Sequence, residues 1–192
     1  MEEKEVSNKT FSRRVFIGIE LESIKEELVS LQNELKPYVT KGNFVFYDNF
    51  HLTLQFIGEI NEQDLYPLKE IITTTAQSVK PFEIEIDHLG QFTKKKKQVI
   101  WLGIKNNPLL FELYTVLQKA FQEKDYFELK KPAFLPHITI GRQMILKVPL
   151  EELEGNLDNK PTTKLQVTKI ILYESKQLNG RLRYVPIFQQ VL

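Results

Sequence analysis

Two stretches decide the fold: FHLTLQFIG at Phe50–Gly58 and FLPHITIGR at Phe134–Arg142. Each sets a histidine two positions before a threonine, as His51-Leu52-Thr53-Leu54 and His137-Ile138-Thr139-Ile140, among apolar and β-branched residues that favour strands. Side chains alternate across a strand with period two. His51 and Thr53 therefore share one face, while Leu52 and Leu54 point into the core, and the second stretch has the same parity. Each strand presents an imidazole beside a hydroxyl, held in place by aliphatic packing behind it. Parity also puts Arg142 on the opposite side from His137, so it joins that face only where the strand ends or bends at Gly141.

The surroundings of the two stretches repeat. VFIG at Val15–Gly18 is followed by a helical pattern over Glu22–Lys36, closed by Pro37, and then by the first histidine strand. IWLG at Ile100–Gly103 is followed by a helical pattern over Pro108–Glu123 and then by the second, at a nearly equal separation. Each histidine strand is followed by another helix (Gln63–Val79; Pro149–Glu154) and another strand (Phe82–Leu89; Lys164–Ser175). A short strand at Asn43–Tyr47 and a last strand at Arg181–Gln190 complete the list, with Asn179-Gly180 as a strong hairpin signal. Two copies of a strand–helix–strand–helix–strand unit imply an α+β fold. It consists of two lobes of mainly antiparallel sheet related by a pseudo-two-fold axis, with helices on the outside and a cleft between. No Pro/Gly/Ser-rich linker divides the units. We expect one bilobal domain over residues 13–192 after a flexible arm at 1–12.

Composition bounds the partners. The 192 residues are 42% hydrophobic and 27% charged, which excludes disordered and fibrous classes. Lys and Arg (26) balance Asp and Glu (25), so any contact with a polyanion must come from a local patch. The absence of cysteine removes disulfides, thiolate metal sites and thiol nucleophiles, and fits a reducing cytoplasm. The polar start, MEEKEVSNKTFSRR, has no apolar core for a signal peptide, and no apolar run approaches the roughly 20 residues of a membrane span. No cluster with metal-ligand spacing such as HExxH is present.

Two imidazoles across one cleft suit acid–base chemistry on a small anionic centre. Near their unperturbed pKa of about 6.5 one can hold a proton while the other lacks one. One can then deprotonate a nucleophile as the other protonates a leaving group. Thr53 and Thr139 can donate to non-bridging oxygens, and Arg142 adds a planar cation suited to phosphate. The pseudo-two-fold treats both histidines alike and leaves acid and base unassigned.

These residues resemble the 2H phosphoesterase superfamily, specifically its RNA 2′,3′-cyclic phosphodiesterase (2′-5′ RNA ligase-like) branch. The resemblance runs from Arg14 to the C-terminus. Asn49–Gly58 matches the family's first motif and Leu135–Arg142 its second, with the trailing arginine. Arg14–Ile17, Val99–Gly103, Leu172–Ser175 and Gly180–Tyr184 resemble the flanking strands. The resemblance implies His51 as proton donor and His137 as proton acceptor, with Thr53, Thr139 and Arg142 on the phosphoryl oxygens. It implies hydrolysis of RNA or nucleotides with 2′,3′-cyclic phosphate ends to 2′-phosphomonoesters, with no metal and no cofactor. The alternatives are a 2′-5′ ligase or 2′-5′ phosphodiesterase of the same superfamily, and an RNA- or nucleotide-binding module without turnover.

Remaining candidates are weaker. Lys94, Lys95, Lys96 and Lys97 form either a solvated basic turn or a loop that tracks phosphates. Phe56 and Tyr184 are candidates to stack on a base, although core packing is the ordinary role for Phe56. Arg14, at a strand end, is a further candidate contact. Alternation puts His88 with Phe82, Ile84 and Ile86 in the core. A monomer outside any membrane is expected.

Overall fold

The computed structural model describes residues 12–125, 127, 133–157 and 163–192, so nearly all of the expected N-terminal arm lies outside the described residues. In chain order the elements are β1 (Arg13–Glu20), α1 (Lys25–Leu35), β2 (Val39–Phe44), β3 (His51–Ile60), α2 (Leu65–Gln77), β4 (Phe82–Lys94), β5 (Lys97–Ile104), α3 (Pro108–Lys124), β6 (His137–Leu146), α4 (Leu150–Asn156), β7 (Lys164–Val167), β8 (Lys169–Leu178) and β9 (Arg181–Val191). Local chemistry explains the boundaries. Asn107 caps α3 by accepting from the Leu110 amide at 3.0 Å, with Pro108 in the first turn. Asn61 and Asp64 form a capping box at the single 3-10 turn that leads into α2. Asn179 and Gly180 turn β8 into β9 with φ values of 52° and 72°, the left-handed pair that a tight hairpin demands.

Every strand pairing is antiparallel, and the sheet order is β7-β4-β5-β6-β3-β1-β8-β9, with β2 also paired to β6. The central run β4-β5-β6-β3-β1-β8 reads the same from either end when β4 exchanges with β8, β5 with β1 and β6 with β3. That is the pseudo-two-fold expected from the repeated units, and its axis passes between β3 and β6. The third strand of each unit crosses over: β4, from the first unit, pairs β5 of the second, and β8 pairs β1 of the first.

Helices cover one face of the sheet. Leu28, Leu31 and Leu35 of α1, Ile71 and Ile72 of α2, and Leu113 and Leu117 of α3 share a buried core with Leu52, Leu54, Ile138 and Ile140. The opposite parity on β3 and β6, which carries the histidines, is left to the other face. Strand boundaries differ from expectation in three places. The stretch read as one strand over Lys164–Ser175 is two, β7 and β8, because its first residues pair with β4 and the later ones with β1. β2 spans Val39–Phe44 because it follows the free edge of β6, from Val39 opposite Leu146 to Phe44 opposite Gly141, and residues Tyr47–Asn49 coil instead into a 3-10 turn. β4 continues to Lys94 because β5 pairs with it to the last residue before the turn.

Candidate active site

Leu52 pairs with Ile138, and both are fully buried. One residue further each way, this register sets His51 across from Thr139 and His137 across from Thr53. The two imidazoles then occupy diagonal corners, about 7–8 Å apart in a regular antiparallel pair. Histidine and threonine alternate around a four-cornered patch whose centre is the pseudo-two-fold axis.

Arg142 joins this patch through a bulge. Thr139 pairs with Trp101, but Gly141 pairs with Ile100, so Ile140 is an extra residue on β6. Ile140 and Gly141 are both buried, and Arg142 emerges exposed on the histidine face. The bend that strand parity required at Gly141 is present. The carbonyl of Ile140, freed by the bulge, accepts from the Val45 amide and from Gln32 Nε2, each at 2.9 Å. Gln32 is buried on α1 and also donates to the Val45 carbonyl at 2.9 Å, so a helix side chain pins the bulge that aims Arg142. Its signal in the sequence was a glutamine at an apolar position of α1, between Leu31 and Leu35.

The histidines are oriented alike. His51 Nδ1 meets the carbonyl of Asn49 at 2.7 Å, and His137 Nδ1 meets that of Leu135 at 2.8 Å. A carbonyl only accepts, so each Nδ1 carries hydrogen and each neutral ring keeps its lone pair on Nε2. His51 Nε2 lies 3.0 Å from Thr53 Oγ1. Asn49 does more than supply a carbonyl. Its buried side chain donates to the Leu182 carbonyl at 2.8 Å and accepts from the Tyr184 amide at 3.1 Å, tying the β8–β9 hairpin to the residue that orients His51. Sequence reasoning gave Asn49 no role beyond its place in the motif.

Burial dominates the electrostatics. It pushes the His51 imidazole down from its ordinary value to about 4, with the Arg142 and His137 charges lowering it further against the Asn49 hydrogen bond. His137, less enclosed, is also lowered, first by burial and then by Arg142 against the Leu135 hydrogen bond. Aromatic rings flank both: Phe16 and Tyr184 lie 4.7 and 4.9 Å from His51, and Phe92 and Trp101 lie 5.1 and 5.9 Å from His137.

A cleft of about 560 Å³ opens beside His51, lined among others by Asn49, Thr139, Arg142, Gln143 and Tyr184. Thr53 and His137 share the sheet face but are not among its lining residues. Tyr184 lines the cleft with its ring edge-on to His51. Lys94–Lys97 make the β4–β5 turn, and Lys97 reaches Gln143 at 3.1 Å, next to Arg142. Phe56 is not a core residue. Leu54 is an extra residue on β3, since Gln55 pairs with Ile17 and Thr53 with Gly18. Gln55 therefore turns inward to Gln118 of α3, and Phe56 stays 48% exposed beneath the Arg14 guanidinium, 5.0 Å from its ring centre. Neither Arg14 nor Phe56 lines the cleft. His88 also leaves the core. One extra residue between Ile86 and Leu89 reverses parity, and its side chain is 47% exposed, set over Gly103 and edge-on to Trp101. Among the described residues no group of three or more His, Cys, Asp or Glu side chains is arranged to hold a metal ion, and no helix is long and apolar enough to cross a membrane.

Comparison with known proteins agrees with this geometry. The family model of the 2′-5′ RNA ligase superfamily matches residues 48–179, which include both histidine motifs. The RNA 2′,3′-cyclic phosphodiesterase of Methanothermobacter thermautotrophicus is 29% identical over 170 residues, covering 85% of this chain and 90% of its own. That of Thermotoga maritima is 30% identical over 165 residues, covering 84% and 86%. Among solved structures, E. coli LigT in its apo form superposes with a TM-score of 0.73 at 26% identity, over 94% of this chain and 97% of its own. LigT has also been crystallised with 3′-AMP.

Proposed function

The chain belongs to the 2′-5′ RNA ligase superfamily, and from that premise we propose that it hydrolyses RNA 2′,3′-cyclic phosphate ends to 2′-phosphomonoesters by paired-histidine acid–base catalysis without a metal ion. The observation that carries the proposal is the Leu52–Ile138 pairing, which assembles both His–Thr pairs around one point. The names of the relatives and the fold shared with LigT support a phosphoesterase of this kind.

In this mechanism His137 takes a proton from water through the free lone pair of Nε2, and the water attacks phosphorus in line. His51, protonated on Nε2, gives its proton to the departing 3′ oxygen. The 2′ ester bond remains, and each histidine ends in the other's starting state. Thr53, Thr139 and Arg142 meet the charge that grows on the non-bridging oxygens. The roles of acid and base follow the family resemblance. Incubation with adenosine 2′,3′-cyclic phosphate in excess EDTA is expected to yield 2′-AMP alone, read by chromatography. A strict requirement for divalent metal, or 3′-AMP as product, would refute it.

The protonation states have a consequence for pH. In the free protein His51 is the harder of the two to protonate, so a single shared proton rests mainly on His137. The reactive form, with the proton on His51, is then the minor one. The pair titrates as a unit, and kcat/KM is expected to be a bell with its acid limb near pH 4 and its alkaline limb below 6.5. A bound phosphate anion favours both imidazolium forms, so the kcat bell lies at higher pH than the kcat/KM bell. Steady-state kinetics from pH 3.5 to 8.5 would check this; limbs of kcat/KM that both lie above 6.5 would contradict it.

A further inference from the structure

We infer that the cleft beside His51 is the seat of the nucleobase next to the cyclic phosphate, with Phe46 and Leu182 as its apolar walls and Arg181 as a contact for the phosphodiester on the 5′ side. The inference rests on the hydrolytic reading above and extends it to substrate recognition. It begins with direction. If His51 protonates the 3′ oxygen, the ribose that bears this oxygen lies on the His51 side, and its base must extend away from His137. The cleft of about 560 Å³ lies on that side: His51, Thr139 and Arg142 line it and His137 does not.

The apolar part of its lining suits a flat ring. Phe46 and Leu182 line the cleft yet remain 45% and 37% exposed, as large apolar surfaces. Neither belongs to the buried core. Phe46 follows β2 at the point where the chain leaves β6, and Leu182 comes from the first residues of β9, so two separate elements supply the two walls. Their spacing is held by Asn49, whose side-chain amide donates to the Leu182 carbonyl while its own backbone carbonyl orients His51. Recognition and acid placement thus share one buried residue.

Charge points to a nucleotide rather than another apolar ligand. The guanidinium groups of Arg181 and Arg183 lie 5.6 and 5.9 Å from the centre of the Phe46 ring. Arg183 is ion-paired with Asp48, while Arg181 makes no ion pair among the described residues and is exposed. Arg142 lines the cleft and Arg181 stands over its Phe46 wall, so the apolar surface is met by cations from two separate strands, which suits a base with a phosphate on either side.

The experiment compares adenosine 2′,3′-cyclic phosphate with methyl riboside 2′,3′-cyclic phosphate, which lacks the base. Phe46→Ala is expected to lower the ratio of kcat/KM for the first over the second by roughly 5- to 150-fold, mainly through KM, and Phe46→Tyr to restore it. An unchanged ratio, or equal losses on both substrates, would overturn the inference. Calorimetric binding of 2′-AMP against ribose 2′-phosphate repeats the comparison without turnover. If the wild-type protein hydrolyses neither cyclic substrate, the hydrolytic reading fails while this arm still decides the base site. Tighter binding of 2′-AMP that depends on Phe46 supports it, and equal binding of the two ligands rejects it. Arg181→Ala should remove any advantage of a dinucleotide cyclic phosphate over the mononucleotide and reduce the salt slope of log KM by about 0.7. Retention of both would exclude Arg181 from the site.

Discussion

Replacing His51 or His137 by alanine is expected to lower kcat on adenosine 2′,3′-cyclic phosphate by roughly 10²–10⁴-fold in each case, with little change in KM. Each variant loses one half of a proton relay, and the surviving histidine cannot serve both oxygens in one turnover. The double variant should therefore be scarcely slower than the worse single one, since residues that act as a unit are not additive. Full activity in either single variant would end the mechanism. The two variants also differ in a way that activity does not report. The His51 imidazole is held near 4 in the folded protein and returns to about 6.5 when unfolded, so below 6.5 the unfolded chain binds the extra proton. Wild-type stability should thus fall as pH drops from 6.5 toward 4, and His51→Ala should lose less over that window. Thermal melts at pH 4.5 and 7.5 would measure it; identical pH dependence in wild type and variant would contradict the placement of His51.

Leu52→Ala and Ile138→Ala are expected to destabilise the fold by about 2–5 kcal/mol each, as deletions in a packed core do. Both side chains are fully buried at the one residue pair that joins β3 to β6. Their loss acts twice. A cavity opens behind the catalytic face, and the join that sets the diagonal of the two imidazoles loosens. Activity should fall by more than the folded fraction does, because reacting groups tolerate misplacement poorly. Urea unfolding with parallel single-turnover assays would separate the two effects. A kcat per folded molecule equal to wild type would show that the core merely supports the sheet. Because the two residues are in contact, the double variant should cost less than the sum of the singles.

Much of the site was legible because parity is a short-range property. From His51 to Thr53, and again from His137 to Thr139, no irregularity intervenes on the strand itself, so alternation predicted correctly which of these side chains face the core. The repeated unit was legible for a related reason: helices and strands of similar length recur between like apolar strings. Alternation failed wherever an extra residue entered a ladder. Those at Leu54 and Ile140, and the one between Ile86 and Leu89, turned Phe56, Arg142 and His88 to the face opposite the one parity gave them. A bulge depends on the partner strand, and no single strand encodes its partner. The same holds for Gln32 and Asn49, whose hydrogen bonds reach β6 and β9 across long stretches of chain. Polar residues among apolar neighbours were their only trace. β2 was displaced for the same reason, since its bounds follow the edge of β6 rather than its own propensity.

The exchange of β4 and β8 between the two units has a consequence for how such a chain can be cut or built. A fragment ending after β4 would hold β1 with one flank bare and β4 with no neighbour to lie against, and the fragment beginning at β5 would leave β5 with one flank bare, β8 paired only to β9 and β7 without its partner. Each half is complete only when the other lends it a strand, as in a swapped dimer whose two subunits have been joined into one polypeptide. Two copies of one half, mixed, should be able to donate that strand to each other, and a symmetric assembly of this kind would carry two identical histidines at its axis.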